Sequence, residues 1–221
     1  MNVRPRAAIS WSGGKDSCTA FESAKANFEI VAALTMVDAD GIRSRSHGVR
    51  VELLQQQADA LGIGHVTRRC DWSSYEEEIV NGLKALKTDY DVSHVIYGDI
   101  VYPEHRAAAE RFAASAELTA VEPLWGMSTL QVVQRFLQSR SRALIVTVSE
   151  RWLDSSWLGT ELTEESVGKL MELGVDPCGE NGEYHTFVTD SPSFSAPLQV
   201  DKGEIVSVRG CWALDLQRAQ H

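Results

Sequence analysis

Through the first half of the chain, apolar residues come in short runs, and between the runs they recur at helical spacing. Ala7 to Trp11 is the first run, closed by Gly13-Gly14. Beyond Asp16, Cys18, Phe21 and Ala24 stand three apart and predict one face of a helix. Ile30 to Val37 reads as a buried strand. Val49 to Leu61 follows as a helix with Leu54, Ala58 and Leu61 on one face and Gly62 as its stop. His65 to Cys70 is a weaker strand. Ser74 with Glu77 predicts a capping box ahead of a helix carrying Ile79, Leu83 and Leu86. His94 to Tyr97 reads as a strand ending in Gly98-Asp99, Glu104 to Ala116 as a helix, and Leu118 to Val121 as a further strand.

This alternation predicts an α/β fold with a doubly wound parallel sheet of Rossmann-like type. Ligands of such sheets sit beyond the C-terminal strand ends. Both Ser12-Gly13-Gly14-Lys15-Asp16-Ser17 (SGGKDS) and Gly98-Asp99 fall on that edge. Past Pro123 the texture changes. Ser128 and Gln131 predict a second capping box, opening a helix through Ser139, and Ala143 to Ser149 is a strand. A loop-rich, aromatic stretch follows. The chain closes on EIVSVRGCWALDLQ, with β character after a turn expected at Asp201-Lys202-Gly203. The expected division is a first domain at 1–122 and a smaller α+β C-terminal lobe at 123–221.

Composition narrows the class. The 221 residues are 43% hydrophobic and 24% charged, as in an ordinary globular protein. No apolar run reaches the roughly 20 residues of a membrane span, and the first residues lack a signal-peptide core. No membrane association is expected, and a cytoplasmic location is. A net charge of −10 disfavours nonspecific nucleic-acid binding. Arg43 to Arg50 and Arg68-Arg69 are the modest basic stretches. Four scattered cysteines form no CxxC pair, so neither a zinc knuckle nor a thioredoxin-type centre is indicated.

SGGKDS is neither a Walker P-loop, whose spacing it lacks, nor a GxGxxG fingerprint. Its chemistry still points to an anion. Adjacent glycines let backbone N–H groups approach closely, and the following helix N-terminus favours negative charge. Lys15 can neutralise a phosphate, and Ser12 and Ser17 can donate hydrogen bonds. Asp16 is out of place against bare phosphate and in place if Mg²⁺ lies between them.

SGGKDS at the end of a first strand resembles the signature of the ATP pyrophosphatases, the PP-loop or adenine nucleotide alpha-hydrolase-like superfamily. Later segments narrow the resemblance: GDIVYPEHR (98–106), EPLWG (122–126), LDSSWLG (153–159) and GVDPCGENGEYHTFV (174–188). Together, and in order over nearly the whole chain, they resemble the diphthine–ammonia ligase family. The resemblance implies an ATP-dependent amide ligase. It adenylates a carboxylate, releases pyrophosphate and AMP, and amidates with ammonia. ATP and Mg²⁺ are the implied cofactors. Two rivals stand beside this reading: an adenylating RNA-modification enzyme, and a non-catalytic ATP-binding sensor related to universal stress proteins. A homodimer is compatible with each.

The resemblance assigns roles. Ser12, Gly13, Gly14, Lys15, Asp16 and Ser17 would bind the β,γ-phosphates, with Asp16 as metal ligand. Backbone around Met36 would take adenine, and Gly98-Asp99 would face the reacting centre. On the loop Gly179 to Gly182, the side chains of Glu180, Asn181, Glu183, Tyr184 and His185 would converge on the acceptor, a carboxylate or His185 taking a proton from the attacking nitrogen. His105 and Arg106 would bind activated substrate or phosphate, and Cys178 would be a packing residue. Residues 38–49 (DADGIRSRSHGV) depart from the archaeal and eukaryotic pattern where the substrate pocket should be shaped. The acceptor is therefore expected to be diphthine on elongation factor 2 if the organism makes it, and otherwise an unknown small molecule or protein carboxylate.

Overall fold

A computed structural model describes residues 4–208 and 210–219. β1 (Arg6–Ser10), β2 (Glu29–Asp38), β3 (Gly64–Cys70), β4 (His94–Ile96) and β5 (Thr119–Val121) form a parallel sheet in the order β3-β2-β1-β4-β5. Four helices connect them: α1 (Lys15–Ala24), α2 (Val51–Leu61), α3 (Tyr75–Tyr90) and α4 (Pro103–Ser115). Alternation along the strands sets the layers. Ala7 and Ile9 of β1 and Ala33 of β2 join Cys18, Phe21 and Leu54 of α1 and α2. Ala8, Ala32 and Leu34 point the other way, to Leu83 and Phe112 of α3 and α4. The chain winds in opposite directions from β1 to its neighbours β2 and β4. The crevice between their C-terminal ends is where the doubly wound design leaves room for a ligand.

A second, antiparallel sheet has the order β7 (Tyr184–Asp190), β6 (Arg142–Ser149), β9 (Cys211–Arg218), β8 (Val200–Val208). α5 (Thr129–Gln138) and α6 (Glu164–Glu172) accompany it, and α5 lies against α1. Phe136 of α5, Val148 of β6, Leu170 of α6 and Phe187 of β7 belong to the same buried cluster as Ile9 and Phe21. One apolar core therefore runs between the two sheets. No helix among the described residues is long and apolar enough to cross a membrane.

The parallel sheet matches the expected doubly wound fold, and the Ser128–Gln131 capping box forms as read. Four details differ. Ser74 makes no cap bond: its hydroxyl and amide are drawn to Asp71, which holds the preceding turn. α6 lies inside the stretch expected to be loop; its capping box uses Ser166 where Glu or Gln is the usual signal, and only Val167 and Leu170 mark a buried face. β7 begins within GENGEYH, so Tyr184 and His185 are strand residues rather than loop residues. Asp201-Lys202-Gly203 lie within β8, where the pairing with β9 shifts register between Lys202 and Ile205; the irregularity is a bulge and not a turn.

Gln57 sits fully buried on the apolar face of α2. It accepts from Trp11 Nε1 at 2.9 Å and donates to Gly13 O at 3.0 Å and Val188 O at 2.7 Å. One amide thus ties the glycine loop to the second sheet. Gln57→Leu strands the Trp11 indole N–H, and the expected loss is at least about 2 kcal/mol of folding stability. A lower urea midpoint with unchanged slope is the readout.

Candidate active site

The loop after β1 meets the turn before β7 across a cavity of about 210 Å³. Lys15, Asp16, Gly98, Asp99, His105, Glu180, Tyr184 and His185 line it, joined by His47, Cys178 and Thr186. The volume suits the phosphate end of a nucleotide and a reacting carbonyl, not a whole nucleotide.

Gly14 caps α1 without a side chain of its own. The Lys15 amide at the helix N-terminus donates instead to Thr186 Oγ1 of β7 at 3.0 Å. A Cβ at Gly14 would stand 2.5 Å from His47 Cε1 and 3.1 Å from Thr186 O, so only glycine admits this approach. Gly13, at φ +80°, needs glycine for its backbone. Ser12 Oγ accepts from Gly14 N and lies 3.2 Å from Ser17 Oγ, which donates to Gly14 O. Ser12, Gly13, Gly14 and Ser17 thereby shape the loop from behind and do not line the cavity.

Lys15 is buried. Its ammonium donates to Asp16 Oδ2 at 2.9 Å and to the Cys178 carbonyl, and lies 5.2 Å from the centre of the Tyr184 ring. Burial is the largest single influence and pulls its pKa down, but Asp16, Tyr184 and Cys178 together outweigh it, and the group is held above the ordinary lysine value. Asp16 Oδ1 is buried with no hydrogen-bond partner.

Glu180 faces this pair. Burial, with Asp16 adding to it, pushes its carboxyl up to about 7. Burial also raises Asp99, with His105 opposing and Asp16 adding. His105 stands 3.8 Å from Asp99 through Nδ1 and is largely exposed. His185 stacks on His47 with ring centres 4.5 Å apart, and His47 Nδ1 lies 3.2 Å from Thr186 O. Burial pushes His185 down to about 4, with Lys15 contributing, and holds His47 well below the ordinary imidazole value.

Several expected members stand elsewhere. Glu183 turns away from the cavity: its carboxylate accepts from Asp176 N, Asn181 N and Asn181 Nδ2, so it shapes its own turn. Asn181 also accepts from Tyr102 OH at 2.7 Å, bridging to the segment after β4. Tyr184 lines the cavity with its ring while its hydroxyl donates to Pro177 O. Arg106 pairs with Glu110 and Glu122 and lies over Trp125. Met36 is buried, and its carbonyl accepts from Arg45 N at 3.0 Å. Cys178 is buried, its thiol donates to Thr129 O, and burial pushes its pKa up.

The sequence reading passed over Thr186 and took His47 for a loop histidine in preference to a ligand. Thr186 is an alternate residue of a strand that was not expected, and His47 reaches the site only because residues 38–50 fold back. Asp215 of β9 anchors that segment, accepting from Arg43 at 2.6 Å and from Arg50 at 2.8 and 2.7 Å. The Arg50 hydrogen bond, with Arg43 behind it, holds the Asp215 carboxyl well below the usual range. Arg45 pairs with Asp38 and covers Trp72. These arginines of the basic stretch are engaged within the protein rather than arrayed for a phosphate backbone.

Residues 5–119 match the family described as "Diphthamide synthase N-terminal domain", and residues 128–220 match "Diphthamide synthase C-terminal domain". The chain is 29% identical to the diphthine–ammonia ligase of Bos taurus, over 91% of this chain and 85% of that one. It is 29% identical to the human diphthine–ammonia ligase with the same coverage. A solved structure described as a predicted subunit of a tRNA methyltransferase from Methanocaldococcus jannaschii aligns over 85% of this chain and 98% of that one, with 16% identity and a TM-score of 0.43.

Proposed function

The chain belongs to the diphthamide synthase family, and from that premise we propose that it is an ATP-dependent carbon–nitrogen ligase. It adenylates a carboxylate with release of pyrophosphate, and ammonia then displaces AMP to leave an amide. The observation that carries this reading is the meeting of the SGGKDS loop and the GENGEYH turn around one cavity. Relatives named diphthine–ammonia ligase support diphthine on elongation factor 2 as acceptor where the organism makes it, and ammonia as donor. A cytoplasmic site goes with that acceptor. The division into an ATP-binding domain at 1–122 and a substrate lobe at 123–221 belongs to the same proposal, supported by the separate sheets.

In this reading the loop from Ser12 to Ser17 receives the β,γ-phosphates. Lys15 offers the ammonium N–H left over from Asp16 and Cys178. The orphaned Asp16 Oδ1 fits Mg²⁺, which commonly takes one or two carboxylates with phosphate oxygens. No three His, Cys, Asp or Glu side chains are grouped to hold a metal unaided among the described residues. Bound there, the ion would neutralise charge on the leaving pyrophosphate. Glu180, with its carboxyl near 7, is better matched as a base than His185 near 4. Ammonium gives one proton to Glu180. The freed lone pair forms the carbon–nitrogen bond as the bond from the carbonyl carbon to the AMP oxygen breaks, and the surplus proton on nitrogen leaves to solvent.

The test is purified protein with Mg-ATP, ammonium and a fractionated extract of the source organism, following AMP, ADP and pyrophosphate together. AMP and pyrophosphate are expected, with one extract component converted from acid to amide by mass. ADP in their place would refute cleavage between the α and β phosphates. Tight ATP binding without turnover in any fraction would favour a sensor.

A further inference from the structure

Tyr97 and Glu122 close neighbouring strands. Tyr97 N donates to Val121 O at 2.9 Å, extending the register that pairs Ile96 with Val121. In parallel strands, residues opposite each other project to the same face. The two side chains therefore rise together on the side covered by α3 and α4, where Tyr97 joins the buried cluster. Asp99 follows two residues on and opens into the cavity.

Both groups are deeply buried: Tyr97 is 5% exposed and the Glu122 side chain 6%. Glu122 Oε2 forms an ion pair with Arg106 Nε at 3.1 Å. Its Oε1 has no partner, and neither does the Tyr97 hydroxyl. Buried polar atoms left alone cost about 1–3 kcal/mol each, so two such groups on the same face at the ends of neighbouring strands call for a partner. The electrostatics say which sign is missing. Burial raises the Tyr97 phenol, with Asp99 and Glu122 adding to it. Burial raises Glu122 too, Arg106 opposing and Asp99 adding.

We propose that Tyr97, Glu122 and Asp99 form a subsite for an ammonium ion, held beside the reacting centre as the nitrogen donor. This rests on the ligase reading. The ion is chosen by its chemistry. Glu122 Oε1 and Asp99 are acceptors, the Tyr97 oxygen can accept as well, and ammonium supplies only donors together with positive charge. A quaternary ammonium has the charge without N–H groups and would leave the same atoms unpartnered.

The experiment is a ¹H–¹⁵N NMR titration of the intact protein with ammonium chloride replacing potassium chloride at constant ionic strength. A parallel titration uses tetramethylammonium chloride. Saturable shifts in the amides of residues 97–99 and 122 are expected with ammonium alone. Tyr97→Phe and Glu122→Gln should each weaken that binding by roughly tenfold or more. Equal shifts with tetramethylammonium, or no saturable response to ammonium in the unmodified protein, would overturn the subsite. The two proposals fail separately. Acid-to-amide conversion without saturable ammonium binding removes the subsite and keeps the ligase; saturable binding without any conversion removes the ligase and, with it, the donor role of the ion, leaving a bare ammonium site.

Discussion

Replacing Lys15 by Met should lower ATP- and ammonia-dependent AMP release by roughly 10²–10³-fold, the usual loss when a preorganised charge donor is withdrawn from a reacting group. Methionine keeps most of the buried volume, so the fold is retained and the loss is electrostatic. Three consequences converge. The cavity loses its one lining ammonium, so charge building on the leaving pyrophosphate meets fewer donors. Asp16 loses the partner at 2.9 Å that fixes its carboxylate. The Cys178 carbonyl loses its cation, loosening the turn that carries Glu180. Lys15→Arg should not rescue, because a guanidinium fork does not fit a space shaped around one compact ammonium against Tyr184. Pyrophosphate release and a urea titration on the same samples decide the matter. Full turnover in a folded Lys15→Met protein would remove the phosphate site from this loop.

How far the sequence announces this arrangement varies by element. β1 and α1 were legible because Ala7, Ile9, Cys18 and Phe21 are apolar where the strand and helix periods require it. Placing SGGKDS and Gly98-Asp99 on one edge followed from the alternation of strands and helices. The second lobe was less legible, because its local signals are weak. α6 has two apolar anchors, and β7 starts in a glycine turn whose polar residues read as loop. Side-chain direction was not legible at all. Glu180 and Glu183 are alike in sequence, yet one faces Asp16 while the other closes its own turn. Gln57 shows the same limit: a lone amide on an apolar helix face gives no sign of Gly13 or Val188, and only the tertiary fold brings those carbonyls to it.

Glu180→Gln should reduce turnover by roughly 10²–10⁴-fold, the range for removing a positioned base. It should also remove an acid limb from the rate profile. A carboxyl raised to about 7 is protonated and idle below that pH and accepts protons above it. With ammonium ion held constant, kcat/KM of the unmodified enzyme should climb as pH rises through about 7 and then level. The variant should be slow at every pH and show no such climb. Stability runs in the opposite direction. Between the ordinary carboxyl value of 4.5 and about 7, the folded protein holds a proton on Glu180 that the unfolded chain has released, so stability attributable to this group falls as pH rises through that window. Glu180→Gln, which cannot ionise, should therefore resist urea better than the unmodified protein at pH above 7, with the advantage closing toward 4.5. A variant that is slower yet more stable on the alkaline side cannot owe its loss of rate to unfolding. A pH profile unchanged by the substitution would move the base elsewhere in the cavity, to Asp99, the other raised carboxyl lining it.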